Sequence, residues 1–238
     1  MTTAGAEPHF PLFSASHCAA LLATVLASAG VVYALRASPH AGRRGICAAL
    51  AALMLANAIW GEAMDVLRGD WRLAEHAPLH LCDLAALVAI AALACAAWSE
   101  QRSPVRDMLA DLTWFWGLAG TPQALLTPMI DDVFPSVGFW QFFIAHGAIV
   151  AAAFALTFGV GWRPRAAFPL RVWLWTNAIL PPIALFNWLS GGNYLFLCGP
   201  PPNPSLYDHL GRWPLSLLSM EILGYLLAQV LFRPFRRK

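Results

Sequence analysis

An all-α fold, in the form of a polytopic membrane helix bundle, is predicted by three features of the sequence. Hydrophobic residues make up 59% of the 238 residues and charged residues 12%, about half the roughly 25% charged share of a soluble domain. The mean hydropathy is +0.58. Apolar stretches of about 20 residues, the length that spans a bilayer, alternate with short loops. The length fits one integral membrane domain over residues 1–238.

Seven stretches have the length and composition of transmembrane helices. Pro-containing connections separate several of them, since Pro lacks a backbone donor and ends helices. The predicted spans lie near residues 12–35, 45–67, 78–98, 107–126, 138–161, 169–190 and 214–232.

The positions of the cations predict an N-terminus outside and a C-terminus in the cytoplasm, because Lys and Arg concentrate in cytoplasmic loops. Glu7 precedes the first span and Arg36 follows it, which indicates an uncleaved first helix that enters from outside. Only Arg68, Arg72 and Arg212 fall in the predicted outer loops. The predicted cytoplasmic cations are Arg36, Arg43, Arg44, Arg102, Arg106, Arg163, Arg165, Arg171, Arg233, Arg236, Arg237 and Lys238.

The charge balance and the cysteines exclude several classes of function. A formal charge of +2 gives no basic surface for nucleic acid. The 5 cysteines include no CxxC pair and no zinc-finger spacing, and no nucleotide-binding or dinucleotide-binding loop is present. We therefore expect no nucleic-acid partner, no metal and no cofactor.

Polar residues inside hydrocarbon are costly and usually face a bundle interior or a wet cavity. Six predicted spans carry theirs toward the outer side, which predicts an outward-opening polar cavity; interfacial placement at helix ends is the alternative. These residues are Asn57, Glu62, Asp65, His80, Cys82, Asp83, Gln123, His146, Asn187, Ser216, Ser219 and Glu221. At the inner side, Asp107 and Asp111 are interpreted as interfacial acids that suit a helix N-terminus.

Cys82 differs from the other cysteines because it stands at the start of a predicted helix, where the dipole favours a thiolate. His80 is two residues away and points to another face, whereas His80 and Asp83, three apart, are placed to hydrogen-bond. A base for Cys82 must therefore come from another helix. His146 lies well inside the fifth span and is the candidate.

Several short motifs follow one another from the third predicted span onward. They are LHLCD at 79–83, FWG at 115–117, TPQALLTP at 121–128, FFIAHG at 142–147, GNYLFL at 192–197 and SLYDHLGRWP at 205–214. In this order they resemble the YwaF-type bacterial integral membrane proteins, which are similar to the eukaryotic transmembrane protein 164, a lipid acyltransferase. Arg212 and Cys198 depart from the family pattern.

This resemblance implies acyl chemistry on membrane lipids, with Cys82 as nucleophile and His146 as its partner. A more distant likeness to androgen-induced membrane hydrolases, which use Thr and His, has the same theme. A phospholipid or lysophospholipid is then the expected partner, and the bacterial inner (plasma) membrane the expected location. Transfer to a hydroxyl acceptor or hydrolysis by water are both open, and the oligomeric state is unspecified.

Acyl transfer also needs oxyanion donors and a group that orients the base. Gln123, Asn193 and the amides of Gly191 and Gly192 are candidate donors, although the glycines also suit a tight turn. The candidates for orienting an imidazole are Glu62, Asp65 and Glu221; pairing with Arg68 or Arg212 is the alternative for each.

Two other interpretations compete with an enzyme. A transporter or binding protein with an outward polar cavity is the first, with helices broken at Pro122 and at Pro181 and Pro182. The second makes Cys82 and Cys198 a structural disulfide on an oxidising outer face, which would remove the free thiol.

Overall fold

A computed structural model describes residues 10–99, 101, 103–165, 167–202 and 206–236, and within these ranges the regular secondary structure is entirely helical. Some residues used in the sequence predictions lie outside the described residues. They are Glu7, Arg102, Ser205, Arg237 and Lys238.

Eight α-helices and four short helical segments make up the described chain. The α-helices are α1 (Ala15–Ala37), α2 (His40–Arg68), α3 (Leu81–Trp98), α4 (Pro104–Ala119), α5 (Thr121–Leu126), α6 (Val137–Phe154), α7 (Phe168–Ser190) and α8 (Leu215–Phe232). A π-helical segment, Ala155–Val160, continues α6, and single 3-10 turns cover Tyr194–Phe196, Leu206–His209 and Arg233–Phe235.

Five of the described helices are long and apolar enough to cross a membrane. They are α1, α2, α3, α6 with its π-helical continuation, and α8 with its terminal turn. The predicted fourth span is shorter as a helix, because α4 has only 16 residues. α7 has the length, but Arg171, Asn177, Pro181 and Pro182 interrupt its apolar residues. The fold is thus that of a helical membrane protein, and the seven crossings remain a prediction.

The predicted helix breaks at proline are observed at one of the two places. The fourth segment divides at Gly120, and Pro122 lies in the first turn of α5. The backbone N–H of Gly120 donates to the Trp116 carbonyl at 3.2 Å and ends α4. α7 continues through Pro181 and Pro182, as membrane helices do when neighbouring groups satisfy the freed carbonyls. The break predicted in the sixth segment is therefore wrong.

α6 is the central helix of the bundle. Its apolar span is 67% buried inside the protein, against 11% for α1, and it packs against α1, α2, α3 and α4. Small residues allow this close approach, as is typical between membrane helices. A methyl group added at Gly147 would lie 2.9 Å from the Thr24 hydroxyl, and one at Gly159 would lie 2.9 Å from the Leu35 Cβ.

The N-terminal end of α4 carries a cluster of buried charges. Asp107 lies in the first turn of α4, as predicted, but Asp107 and Asp111 are only 5% and 2% exposed, so protein groups rather than water surround both carboxylates. Arg165 pairs with Asp107 at 2.5 Å and Arg171 pairs with Asp111. Arg165 comes from the segment that joins α6 to α7, and Arg171 from the first turn of α7; the sequence gives no sign that these residues pack against α4.

We expect Asp111→Leu to lower the free energy of unfolding by about 3–5 kcal/mol, because it leaves the Arg171 guanidinium without its partner. The double variant Asp111→Leu with Arg171→Met is expected to recover most of that loss, since it removes both charges. Denaturant unfolding of the detergent-solubilised protein measures the difference.

The exposed pair Arg72–Glu75 is the matched control, with side chains 68% and 55% exposed. Glu75→Ala is expected to change stability by less than about 1 kcal/mol. A double variant as unstable as Asp111→Leu alone would contradict the pairing argument.

Candidate functional site

Cys82 lies in the first turn of α3. The helix begins at Leu81, three residues later than predicted, and His80 is its N-cap with extended backbone (φ −70°, ψ 158°). The backbone N–H of His80 donates to Asp83 Oδ2 at 3.0 Å. The expected hydrogen bond between His80 and Asp83 is therefore present, but its donor is the His80 backbone.

The face of α3 that carries Cys82 points into the bundle. Ala85 and Ala89, three and seven residues further on, share this face and are 1% and 0% exposed. Cys82 itself is half-buried. Its side chain thus lies at the edge of the core rather than against lipid alone.

The cysteines, all within the described residues, are free thiols. Cys18 and Cys198 are exposed, Cys47 is buried, and Cys82 and Cys95 are half-buried. The disulfide between Cys82 and Cys198 is not formed in this structure.

His146 has one ring nitrogen engaged. Its Nδ1 lies 2.9 Å from the Phe142 carbonyl oxygen on the preceding turn of α6. A carbonyl oxygen only accepts, so Nδ1 carries the hydrogen and donates it. In the neutral imidazole, Nε2 is then an acceptor, and no hydrogen bond from the described residues reaches it. His146 is therefore held in the tautomer that a general base requires.

α4 contacts both α3 and α6, so the positions of residues along these two helices can be compared through it. A methyl group added at Gly117 would lie 3.3 Å from Ile149 Cγ2, and one added at Gly120 would lie 3.2 Å from Leu81 Cδ2. Since Leu125 of α5 packs against Phe139 at the start of α6, the chain from α4 into α5 runs antiparallel to α6.

These contacts place Cys82 and His146 within about one helical turn of the same depth. Gly120 lies about 4.5 Å beyond Gly117 along α4, at 1.5 Å per residue. A methyl group at Gly117 would meet both Ile149 Cγ2 and Ala153 Cβ of the antiparallel α6, so the residues of α6 that are level with Leu81 lie between His146 and Val150. α3 and α6 pack against each other. The described residues show no hydrogen bond between the thiol and the imidazole.

His17 is a second buried histidine, and the sequence interpretation did not single it out. It is 0% exposed. Its Nε2 donates to the Leu125 carbonyl at 2.8 Å, and its Nδ1 accepts the Phe13 N–H at 2.9 Å. With both nitrogens engaged, His17 joins α1 to α5 and has no nitrogen free for chemistry.

The acidic candidates contact groups other than an imidazole. Glu62 accepts a hydrogen bond from Trp71 Nε1 at 2.9 Å, and Glu221 accepts one from Asn177 Nδ2 at 2.8 Å. These bonds join α2 to the following loop and α8 to α7. Within the described part of the chain, no three His, Cys, Asp or Glu side chains form a cluster that would hold a metal ion.

The candidate donors after α7 are used by the loop itself. Asn193 Oδ1 accepts the Cys198 N–H at 2.9 Å, and its Nδ2 donates to the Gly199 carbonyl at 3.1 Å. Gly191, at φ +75°, donates its N–H to Asn187, and Gly192 donates to the Ser190 hydroxyl. Gln123 differs from these predicted donors, because its half-buried side-chain amide makes no hydrogen bond of this kind with the described residues of the loop.

Tyr194 joins the loop after α7 to the loop before α3 through hydrogen bonds, a role that the sequence did not predict. It is 0% exposed. Its hydroxyl donates to the Leu73 carbonyl and accepts the Ala77 N–H, both at 2.8 Å. Burial raises the pKa of the Tyr194 phenol, so the hydroxyl stays protonated. Its ring centroid lies 5.0 Å from that of His80.

Asn187 holds Tyr194 from the other side. Its Nδ2 donates to the Tyr194 carbonyl at 2.9 Å, and its Oδ1 accepts the Tyr194 N–H at 2.8 Å. Asn187 is 1% exposed. A polar residue near the end of the predicted sixth span, Asn187, followed by Asn193 and Tyr194, is the sequence signal that would have indicated these hydrogen bonds.

Apolar helices of spanning length, packed through small residues, define an integral membrane protein. The sequence profile of the TMEM164 family matches residues 12–232, nearly the whole chain, and the protein belongs to this family. No curated protein and no solved structure matches the chain.

We expect Tyr194→Phe to destabilise the protein by about 1–3 kcal/mol, because the Leu73 carbonyl and the Ala77 N–H lose their buried partner. Amide hydrogen exchange at Ala77 is expected to accelerate with it. Tyr225→Phe, at a tyrosine 38% exposed, is the control and is expected to change stability by less than about 0.5 kcal/mol. Equal effects of the two variants would contradict the role of the Tyr194 hydroxyl in joining the two loops.

Proposed function

We propose that this membrane protein of the TMEM164 family is a lipid acyltransferase that uses Cys82 as nucleophile and His146 as general base. One observation carries the proposal: the Phe142 carbonyl fixes the tautomer of His146 and leaves Nε2 as an acceptor, within about one helical turn of the depth of Cys82. The family match supports the membrane class. A nucleophile and a base on packed helices at similar depth are elements that covalent acyl transfer requires.

The first half-reaction forms a thioester. His146 Nε2 takes the proton of the Cys82 thiol, and the thiolate attacks the ester carbonyl carbon of a phospholipid. When the tetrahedral intermediate collapses, the carbon–oxygen bond to the glycerol breaks, and the leaving alkoxide receives the proton from the imidazolium. The acyl group is then held on sulfur and a lysophospholipid is released.

The second half-reaction transfers the acyl group to an acceptor. His146 Nε2 takes the proton of a hydroxyl on a lysophospholipid, whose oxygen attacks the thioester carbonyl. The carbon–sulfur bond breaks, and the Cys82 thiolate recovers the proton from the imidazolium. Water in place of the lysophospholipid would make the same site a lipid ester hydrolase.

The oxyanion needs donors beside Cys82. The first amides of any helix have no intrahelical acceptor, and those of Leu81 and Cys82 are at the reacting sulfur. Gln123 follows three residues after Gly120, which approaches Leu81, so its side-chain amide is assigned as the further donor. Asn193 is assigned a structural role instead, because its amide holds the loop.

We also propose that α4 with α5 and α7 complete seven crossings, with the N-terminus outside. The support is the distribution of the cations, most of which lie at the end opposite to Cys82. In this orientation, Cys82 and His146 react in the outer leaflet. The proposed partner is a membrane phospholipid or lysophospholipid.

Cys82→Ala and His146→Ala are each expected to reduce acyl exchange between a phospholipid and a labelled lysophospholipid by about 100-fold or more. The measurement is mass spectrometry of lipids in proteoliposomes that contain the purified protein. Free fatty acid in place of labelled phospholipid would identify hydrolysis as the reaction.

Cys95→Ala, on the same helix and also half-buried, is the control for the cysteine variant. His40→Ala, at an exposed histidine at the start of α2, is the control for the histidine variant. Both are expected to keep wild-type activity. Full exchange in Cys82→Ala or in His146→Ala would remove that residue from the mechanism.

Thiol labelling tests the base independently of any lipid substrate. We expect His146→Ala to slow the reaction of Cys82 with a small electrophile by about tenfold or more, because the thiol loses its proton acceptor. Cys198 is exposed and reports the intrinsic reagent rate in the same molecule. Equal slowing at Cys198, or no slowing at Cys82, would argue against the pairing; site-resolved mass spectrometry distinguishes the two cysteines.

A further inference from the structure

A groove of about 580 Å³ runs between α1 and α6 with its π-helical continuation, away from Cys82. Its volume lies within the roughly 300–1,000 Å³ range of small-molecule sites. The two helices touch at Thr24 with Gly147 and at Leu35 with Gly159. The groove is the space beside this line of contact. Its lining residues are Thr24, Val25, Ser28, Ala29, Val32, Tyr33, Arg36, Val150, Phe154 and Phe158.

The walls of the groove are apolar despite two hydroxyl side chains. Thr24 Oγ1 donates to the Ala20 carbonyl at 3.0 Å, and Ser28 Oγ donates to the Thr24 carbonyl at 2.7 Å. Both hydroxyls are therefore satisfied within α1. An occupant of this surface must be a hydrocarbon chain rather than a hydrogen-bonding solute.

A single cation closes one end of the groove. Arg36 is exposed near the last turn of α1, and its Nε donates to the Phe158 carbonyl at 2.8 Å. This bond caps a carbonyl of the π-helical segment and holds the guanidinium at the groove mouth. That bond uses one of the five N–H donors of the guanidinium, and the four on the two Nη groups are of the kind that bind a phosphate through paired hydrogen bonds.

The dimensions match one lipid in one leaflet. From Thr24 to Arg36 the groove follows α1 for about 18 Å at 1.5 Å per residue, close to half of the roughly 30 Å hydrocarbon core. Tyr33, 75% exposed and next to Arg36 at the groove mouth, is typical of a side chain at the headgroup level. The open side of the groove therefore faces lipid.

We propose that this groove binds one phospholipid, with an acyl chain along α1 and α6 and the phosphate on Arg36. Cys82 and His146 do not line this groove, and the lipid site does not depend on the proposed acyl transfer. The charged end, the apolar walls and the length select a lipid that carries a phosphate over a neutral lipid with the same chains.

Native mass spectrometry of the full-length protein in detergent, titrated with 1-palmitoyl-2-oleoyl-phosphatidylglycerol, tests the proposal. We expect one tight adduct, and binding about tenfold or more weaker in Arg36→Gln, which loses the charge-assisted contacts. Val32→Trp fills the groove one turn before Arg36 and keeps the guanidinium, and it is expected to weaken binding comparably. 1-Palmitoyl-2-oleoyl-glycerol, which lacks the phosphate, is expected to bind more weakly, and inorganic phosphate is not expected to displace the phospholipid.

Two control variants match the changes. Arg43→Gln removes an exposed guanidinium whose Nε also donates to a backbone carbonyl, that of Ser38 at 3.1 Å. Leu26→Trp enlarges a lipid-exposed side chain of α1 outside the groove. Both controls, and Cys82→Ala, are expected to keep the adduct. Equal losses in Arg36→Gln and Arg43→Gln, unchanged binding in Val32→Trp, or displacement by inorganic phosphate would overturn the proposal.

Discussion

The arrangement of this protein depends on how closely α6 approaches its neighbours. Between membrane helices the hydrophobic effect gives little attraction, and van der Waals contact at small residues replaces it. Gly117, Gly147 and Gly159 let α4 and α1 approach α6 until side chains meet backbone. The relative depth of α3, α4 and α6, and with it the depth of Cys82 and His146, follows from these contacts.

The sequence was most informative about the long apolar helices, because hydropathy reports the solvent that surrounds them. α1, α2, α3, α6 and α8 lie within a few residues of their predicted spans. Hydropathy did not show that α4 would end at Ala119, because that break depends on the local backbone at Gly120. It also gave no sign of the pairing of Asp111 with Arg171, which joins residues from separate elements.

The candidate site shows the same division between local and long-range information. The start of α3, with Cys82 in its first turn, follows from local sequence. The tautomer of His146 follows from a carbonyl one turn away, which periodicity allows but does not specify. The roles of Tyr194 and Asn193 depend on loops that meet only in the folded chain. Only the three-dimensional structure therefore distinguishes polar residues that hold loops together from polar residues that are available for chemistry.

The hydrogen bond from His17 to the Leu125 carbonyl joins residues 108 positions apart, and this has a consequence for biosynthesis. A ribosome delivers α1 to the membrane long before α5 and α6 emerge. During that interval the His17 imidazole has neither the Leu125 carbonyl nor the Phe143 ring beside it. An early helix that carries such a polar ring must wait at the lipid–water boundary or within the insertion machinery, and it reaches its final place only when the later hairpin arrives.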